Sequence, residues 1–327
     1  MLPRLTFAAA AAAVLLSASG ALAQKIELKL GHVAEPGSLI AQSADEFARR
    51  ANAKLGDKAT IQVFPSSQLG SDRDMFQKLK LNQLQLWVPS TIMSSVAPEF
   101  GVFEMPYIIK DRQHMKRVVE KLNDKIFIPA GKARSVLILG TWENGFRHIT
   151  NNVRPIVKPE DLKGIKLRVP QGEWRVKMFQ AYGANPSPLA YGEVFTALKT
   201  GVMDGQENPY PQIWGGKFFE VQKYISLSGH VFSPAWLVAS PSQFEKWPAD
   251  IQKALAEAGK ETEEFVRELA DKLDTELLEK MVKASEMKPN EVDKDAFIAS
   301  STAIYEEFGK QVSGGADIIK EIQALAQ

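Results

Sequence analysis

Arg168 is the residue most at odds with its surroundings. It stands in Gly164-Ile165-Lys166-Leu167-Arg168-Val169-Pro170-Gln171, between Leu and Val in what reads as a short strand. An unpaired guanidinium is expensive to bury there. Two readings answer that cost. A structural ion pair with some Asp or Glu would neutralise the charge. So would a ligand carboxylate, because a planar guanidinium offers a two-point fork that an ammonium lacks. Pro170 removes a backbone donor and stops the strand, so Arg168 lies near a strand end, where α/β sheets bind ligands. Catalysis finds no comparable foothold. His32, His114, His148 and His230 form no H-E-x-x-H or other short metal pair, and the chain has no G-x-S-x-G elbow, P-loop or G-x-G-x-x-G. His114 sits in a solvated D-R-Q-H run, and His148 has no carboxylate beside it. The expectation is a binding protein, not an enzyme, with no required cofactor or metal.

Composition narrows the setting. Arg4, the apolar run Leu5 to Leu16 and Ala21-Leu22-Ala23 before Gln24 have the layout of a cleaved export signal over residues 1–23. The apolar run falls short of the roughly 20 residues a membrane span requires. The expected mature protein is periplasmic, not membrane-inserted and a monomer. Zero cysteines exclude disulfides and thiolate chemistry. The net charge of +1 drops to about zero without Arg4, which leaves no basic excess for nucleic acid or anionic lipid. Affinity for anions must come from individually placed arginines.

The elements that would carry Arg168 read as alternating strands and helices. Lys25 to Leu30 alternates charged and apolar residues, Ala59 to Phe64 is a second strand, and Leu84 to Val88 a third. Helices are predicted over Ile40–Leu55, Asp72–Lys80, Gly172–Tyr182 and Tyr191–Lys199, the last closed by Gly201. Further strands fall at Val136–Leu139, Lys166–Val169, Lys223–Leu227 and Trp236–Ala239. This alternation implies βαβ units and a largely parallel sheet. From Pro248 almost forty residues rich in Ala, Glu, Lys and Leu carry an apolar stripe, Val266, Leu269, Leu273, Leu277 and Met281, which reads as one long helix.

Three segments, G-I-K-L-R-V-P (164–170), Y-G-E-V-F-T-A-L-K-T-G-V-M-D-G-Q-E-N-P (191–209) and F-P-S-S-Q-L-G (64–70), together with W-E-N-G-F-R (142–147), resemble one family in its own order. It is the solute-binding component of TRAP (tripartite ATP-independent periplasmic) transporters, the DctP-like family. The resemblance implies an α/β, two-lobed periplasmic solute-binding fold with a long helix spanning both lobes. It implies TRAP membrane permease subunits as partners and a small organic acid as ligand. The family's clamping arginine falls on Arg168, and a second arginine on Arg147. Gln171 matches a polar residue used toward the ligand, Asn208 the amide donor, and Tyr191 a wall of the pocket. Glu207 is expected to brace its loop rather than meet an anion.

The lobes are expected as 24–145 plus 233–272 and 146–232 plus 273–327, with His32, Val33 and Ser90 facing the arginines from the first and Trp236 also at the site. Sialic-acid-binding relatives carry acids where this chain has Ser71 and Ser90, which argues against an amino sugar. Trp142, Trp174, Tyr210, Trp214 and Trp236 add an expectation of an apolar or aromatic monocarboxylate, narrowly ahead of a C4-dicarboxylate. A binding protein feeding a sensor kinase and an enzyme acting on a small acid are the rival readings.

Overall fold

The computed structural model describes residues 25–326, so the export signal expected over 1–23 lies outside the described residues. Two sheets organise the molecule. In the first, β1 (Ile26–Gly31) pairs in parallel with β2 (Ala59–Phe64), in register from Ile26↔Ala59 to Gly31↔Phe64, and with β3 (Leu86–Trp87) on its other side. Leu28 and Leu30 of the alternating run are buried beneath α1 (Leu39–Leu55). Ser38 caps α1 by accepting from Ala41 N–H. The long strand β4 (Leu137–Phe146) closes the sheet, whose order is β2-β1-β3-β10-β4 with β10 (Phe232–Ala239) antiparallel to both neighbours.

The second sheet has the order β11-β9-β5-β8-β6-β7. Its strands are β5 (His148–Asn151), β6 (Lys166–Val169), β7 (Asn185–Pro188), β8 (Gly205–Asn208), β9 (Tyr224–Ser226) and β11 (Lys288–Asn290). Both sheets are mixed rather than largely parallel. The antiparallel members β10 and β5 are the strands that carry the chain between lobes, so their direction follows from the crossing itself. Strands β5, β7, β8 and β11 were not expected; each is only three or four residues long and offers little period to read. The segment from Tyr191 opens as a 3-10 turn, Tyr191–Glu193, before its helical turns at Val194–Lys199.

Only Arg147 separates β4 from β5, so this residue is one crossing between the lobes. Its N–H donates to Val231 O at 2.9 Å, which ties it to the returning crossing ahead of β10. The third crossing is the expected long helix, α4 (Ala249–Ala284), with α2 (Asp72–Lys80) and α3 (Glu173–Ala181) preceding it in the chain. Val266, Leu273, Leu277 and Met281 are its buried stripe. Glycines set how closely α4 approaches β4: a Cβ on Gly259 would stand 2.5 Å from Leu139 O, and one on Gly140 2.9 Å from Gly259 O. His114, expected in solvent, is instead buried, between Lys110 N–H and Ile322 O. Among the described residues no helix is long and apolar enough to cross a membrane.

Candidate functional site

A cavity of about 60 Å3 lies between the two sheets, several times the space one buried water requires. Arg168 reaches it from β6, flanked by β7 through Ser187 and by β8 through Gln206. Leu167 and Val169 turn into the core, and the period of two sends Arg168 the other way. Its Nε and Nη2 both donate to Leu189 O, at 3.0 and 2.7 Å, which fixes the plane of the guanidinium. Among the described residues it forms no ion pair within 4.0 Å, although the charge of Asp72 acts on it. Burial, followed by the neighbouring charge of Arg147, pushes its pKa down from 12.5 to about 10. It remains charged at neutral pH.

Arg147 also lines the cavity but is committed differently. Its Nε meets Glu207 Oε2 at 2.5 Å and its Nη2 meets Oε1 at 2.9 Å, with Nη2 also reaching Glu207 O and Asn208 Oδ1. Arg175 of α3 donates from Nη1 to the same Oε2 and from Nε to Glu104 Oε2, and His230 Nε2 lies 3.1 Å from Glu207. Burial opposes the Glu207 charge, yet the two guanidiniums overcome it and hold its carboxyl well below the usual range. Glu207 thus braces the crossing. Arg147 and Arg175 are paired with Glu207 and Glu104, and Arg168 is the arginine of the three without an ion pair among the described residues.

The other expected residues divide. Gln171, Tyr191, Ser90, Asn208 and Val33 line the cavity. Tyr191 donates its hydroxyl to Gln212 O at 2.8 Å, and Ser90 donates to Pro234 O. Asn208 already gives one amide N–H to Gln206 Oε1, so only its second is free for a ligand. His32 does not line the cavity. It is fully buried with both ring nitrogens unpartnered among the described residues, and burial pushes its pKa down to about 4. Trp236 is likewise a correction: it does not line this cavity but packs on Phe100 and Phe103, with ring centroids 5.0 and 5.9 Å away, beside a small adjoining pocket that shares Ser90 and Thr91. Among the described residues no tryptophan lines this cavity. Trp142 packs on Phe47, Trp174 on Phe308 and Trp214 on Phe219.

Sequence reasoning missed Asp72. The residue before it, Ser71, is the N-cap of α2, joined to Asp74 in a capping box. The acid absent at Ser71 is therefore supplied one position later, because Asp72 lines the cavity and accepts from Trp87 Nε1 at 3.3 Å. Burial pushes its carboxyl up to about 7, against the Trp87 N–H and the charge of Arg168. Asn144 and Gln212 also line the cavity, with Gln212 Nε2 donating to Asn144 Oδ1. Gln171 Oε1 and Gln212 Oε1 are buried without partners among the described residues.

The family of bacterial extracellular solute-binding proteins, family 7 (DctP), matches residues 30–311. The chain belongs to this family. The DctP match is supported by solved structures of TRAP periplasmic solute-binding proteins. One from Polaromonas sp. JS666, bound to D-erythronate, is 30% identical with a TM-score of 0.87, over 92% of this chain and 99% of that one. Another from Sulfurospirillum deleyianum, with bound succinate, is 32% identical with a TM-score of 0.87, over 92% and 99%. Among curated relatives, the 2,3-diketo-L-gulonate-binding periplasmic protein of Escherichia coli is 29% identical over 81% of both chains. The DctP family is one of transporter solute-binding proteins, not of enzymes.

Proposed function

We propose that this chain captures a small hydroxylated carboxylate in the periplasm and delivers it to the membrane permease of a TRAP transporter. The observation that carries this reading is Arg168, buried, held flat by Leu189 O and without an ion pair among the described residues, at a cavity between the two sheets. A ligand carboxylate supplies the missing negative charge as a charge-assisted, directional bond. Arg147 supports it from the crossing, Asn208 offers its remaining N–H, and Tyr191, Val33 and Ser90 shape the walls. Lobe I (24–145 and 233–272) closes over lobe II (146–232 and 273–327), excluding water and strengthening the pairing.

The rest of the ligand is read from what the cavity wants. Gln171 Oε1 and Gln212 Oε1 are acceptors in need of donors. An unmet buried acceptor costs about 1–3 kcal/mol, so an aromatic or purely apolar body forfeits that much at each. Ligand hydroxyls meet the need, and the D-erythronate of the Polaromonas relative has that chemistry. The tryptophans that favoured an aromatic acid pack on other aromatic rings and do not line this cavity, so the hydroxy acid ranks first. Calorimetry at pH 6 with D-erythronate, D-glucuronate, malate, succinate, benzoate and a phenylpropanoid acid tests the ranking. Micromolar binding confined to the aromatic acids overturns the hydroxy-acid choice, and binding of none overturns carboxylate capture.

A further inference from the structure

The cavity holds a carboxyl that capture of an anion does not by itself require. Asp72, the first residue of α2, receives one hydrogen bond, from Trp87, and forms no ion pair among the described residues. The residue is half-buried and lines the cavity between the two sheets. Sharing the cavity with it are Arg168 on β6, whose charge acts on it, Arg147 at the crossing and Tyr191. Its own helix adds Arg73 and Asp74 in solvent; β3 brings Trp87 and no charge, and His32 at the end of β1 is neutral. Of the two arginines, Arg147 is bound at two points to Glu207, so Arg168 is the charge that Asp72 can draw upon.

A ligand carboxylate claims the same guanidinium. It brings a second negative charge into about 60 Å3, and two carboxylates that close around one uncommitted cation do not both stay ionised. The weaker acid takes the proton. A 2-hydroxy acid is an intrinsically strong carboxylic acid, whereas Asp72 already sits near pH 7 through burial. We propose that capture of the organic anion is coupled to uptake of one proton from solvent by Asp72, giving a complex in which the ligand is ionised and Asp72 is a neutral O–H donor beside it. The complex then carries the proton's charge together with the anion's, and it is lost when Asp72 ionises. This inference rests on carboxylate capture as proposed above.

The sign follows from linkage. A group whose affinity for protons rises on binding favours the complex at low pH, so affinity is level below about pH 6. Above pH 7 it weakens by up to about tenfold per unit. The test is calorimetric titration with D-erythronate, or whichever acid of that panel binds most tightly at pH 6, in two buffers of different ionisation enthalpy. At pH 8 nearly one proton should be taken up per ligand, and at pH 6 almost none. Asp72→Asn, which can keep the Trp87 bond, should abolish both the uptake and the pH slope. Glu143→Gln should leave both in place. Glu143 is also pushed up to about 7 by burial, but it is paired with Arg112 and does not line the cavity. The Asp72 carboxyl 13C shift gives the same readout without a substitution, moving toward the protonated form on addition of acid at pH 8. Tight binding with no proton uptake at pH 8, or uptake that survives Asp72→Asn, overturns this inference alone. Failure of every acid to bind at pH 6 overturns carboxylate capture and this inference together.

Discussion

Arg147 and Glu207 form a two-point ion pair buried at the crossing between the lobes, at 2.5 and 2.9 Å, while Arg168 at the same cavity has no ion pair among the described residues. The two arginines are alike in burial and differ in what they are for. One is paired within the molecule. The other is the proposed ligand clamp, and its substitution should behave accordingly.

Replacing Arg168 should separate binding from folding. Arg168→Met removes a buried charge that has no internal partner, so thermal stability of the free protein should hold or rise. Affinity for the ligand should fall by about two to four decades, the equivalent of about 3–5 kcal/mol. Arg168→Lys should bind poorly as well, because an ammonium cannot keep both bonds to Leu189 O and still offer a planar fork. Near-native affinity in either variant would sink the assignment of the clamp.

Glu207→Gln should do the reverse. It leaves Arg147 and Arg175 sharing one neutral amide where a carboxylate had held both. The cost to the free protein should be about 3–5 kcal/mol, read as a lower midpoint in urea. A loss under about 1 kcal/mol would mean that the cluster is not bracing the crossing.

Much of this was legible because some residues break a local rule and others obey one. A guanidinium between Leu167 and Val169 contradicts the strand it sits in, so Arg168 announces itself. The α2 boundaries follow from its capping box, and β2 and β6 from their punctuation by Pro65 and Pro170. Asp72 stayed hidden because an acid in a first helical turn already has a reason, complementing the helix dipole, and nothing in S-D-R-D says which carboxyl turns inward. His32 and Val33 are neighbours at the end of β1, and alternation sends Val33 to the cavity and His32 to the interior. That phase cannot be read where the strand stops. The Glu104–Arg175 pair joins residues 71 apart in sequence, and only the packing of α3 brings them together.

Trp236 offers a test of that correction. Trp236→Ala opens a hole beside Phe100 and Phe103 and should cost about 3–5 kcal/mol of stability. Trp236→Phe should stay folded and bind the ligand within about threefold of wild type, a change of about 0.7 kcal/mol. A hundredfold loss of affinity in the Phe variant, with the melting temperature little changed, would return Trp236 to the binding site.

One of several buried groups that make the fold acid-sensitive can be isolated at His148; His32 and His230 are depressed in the same sense. Burial, then the nearby charges of His230 and Lys294, push its pKa from 6.5 down to about 3, while its ring stacks on Tyr210 at 4.3 Å. A base with a depressed folded pKa contributes stability that is complete above pH 6.5 and is lost as pH falls toward 3. Asp72 and Glu143, raised to about 7, act in the opposite sense, since their protonation on acidification favours the fold. The whole-protein curve therefore mixes the two, and the comparison must be made between variants. His148→Phe keeps an aromatic ring over Tyr210 and removes the titration, at a pH-independent cost from the lost bond to Gly229 N–H. Between pH 7.5 and pH 5 the stability difference should shift in favour of the variant by about 2 kcal/mol, which is 1.36 kcal/mol per unit over the interval below 6.5. Urea titrations of both proteins at the two pH values give that difference directly, and a gap that does not change with pH would show that His148 is not held neutral in the fold.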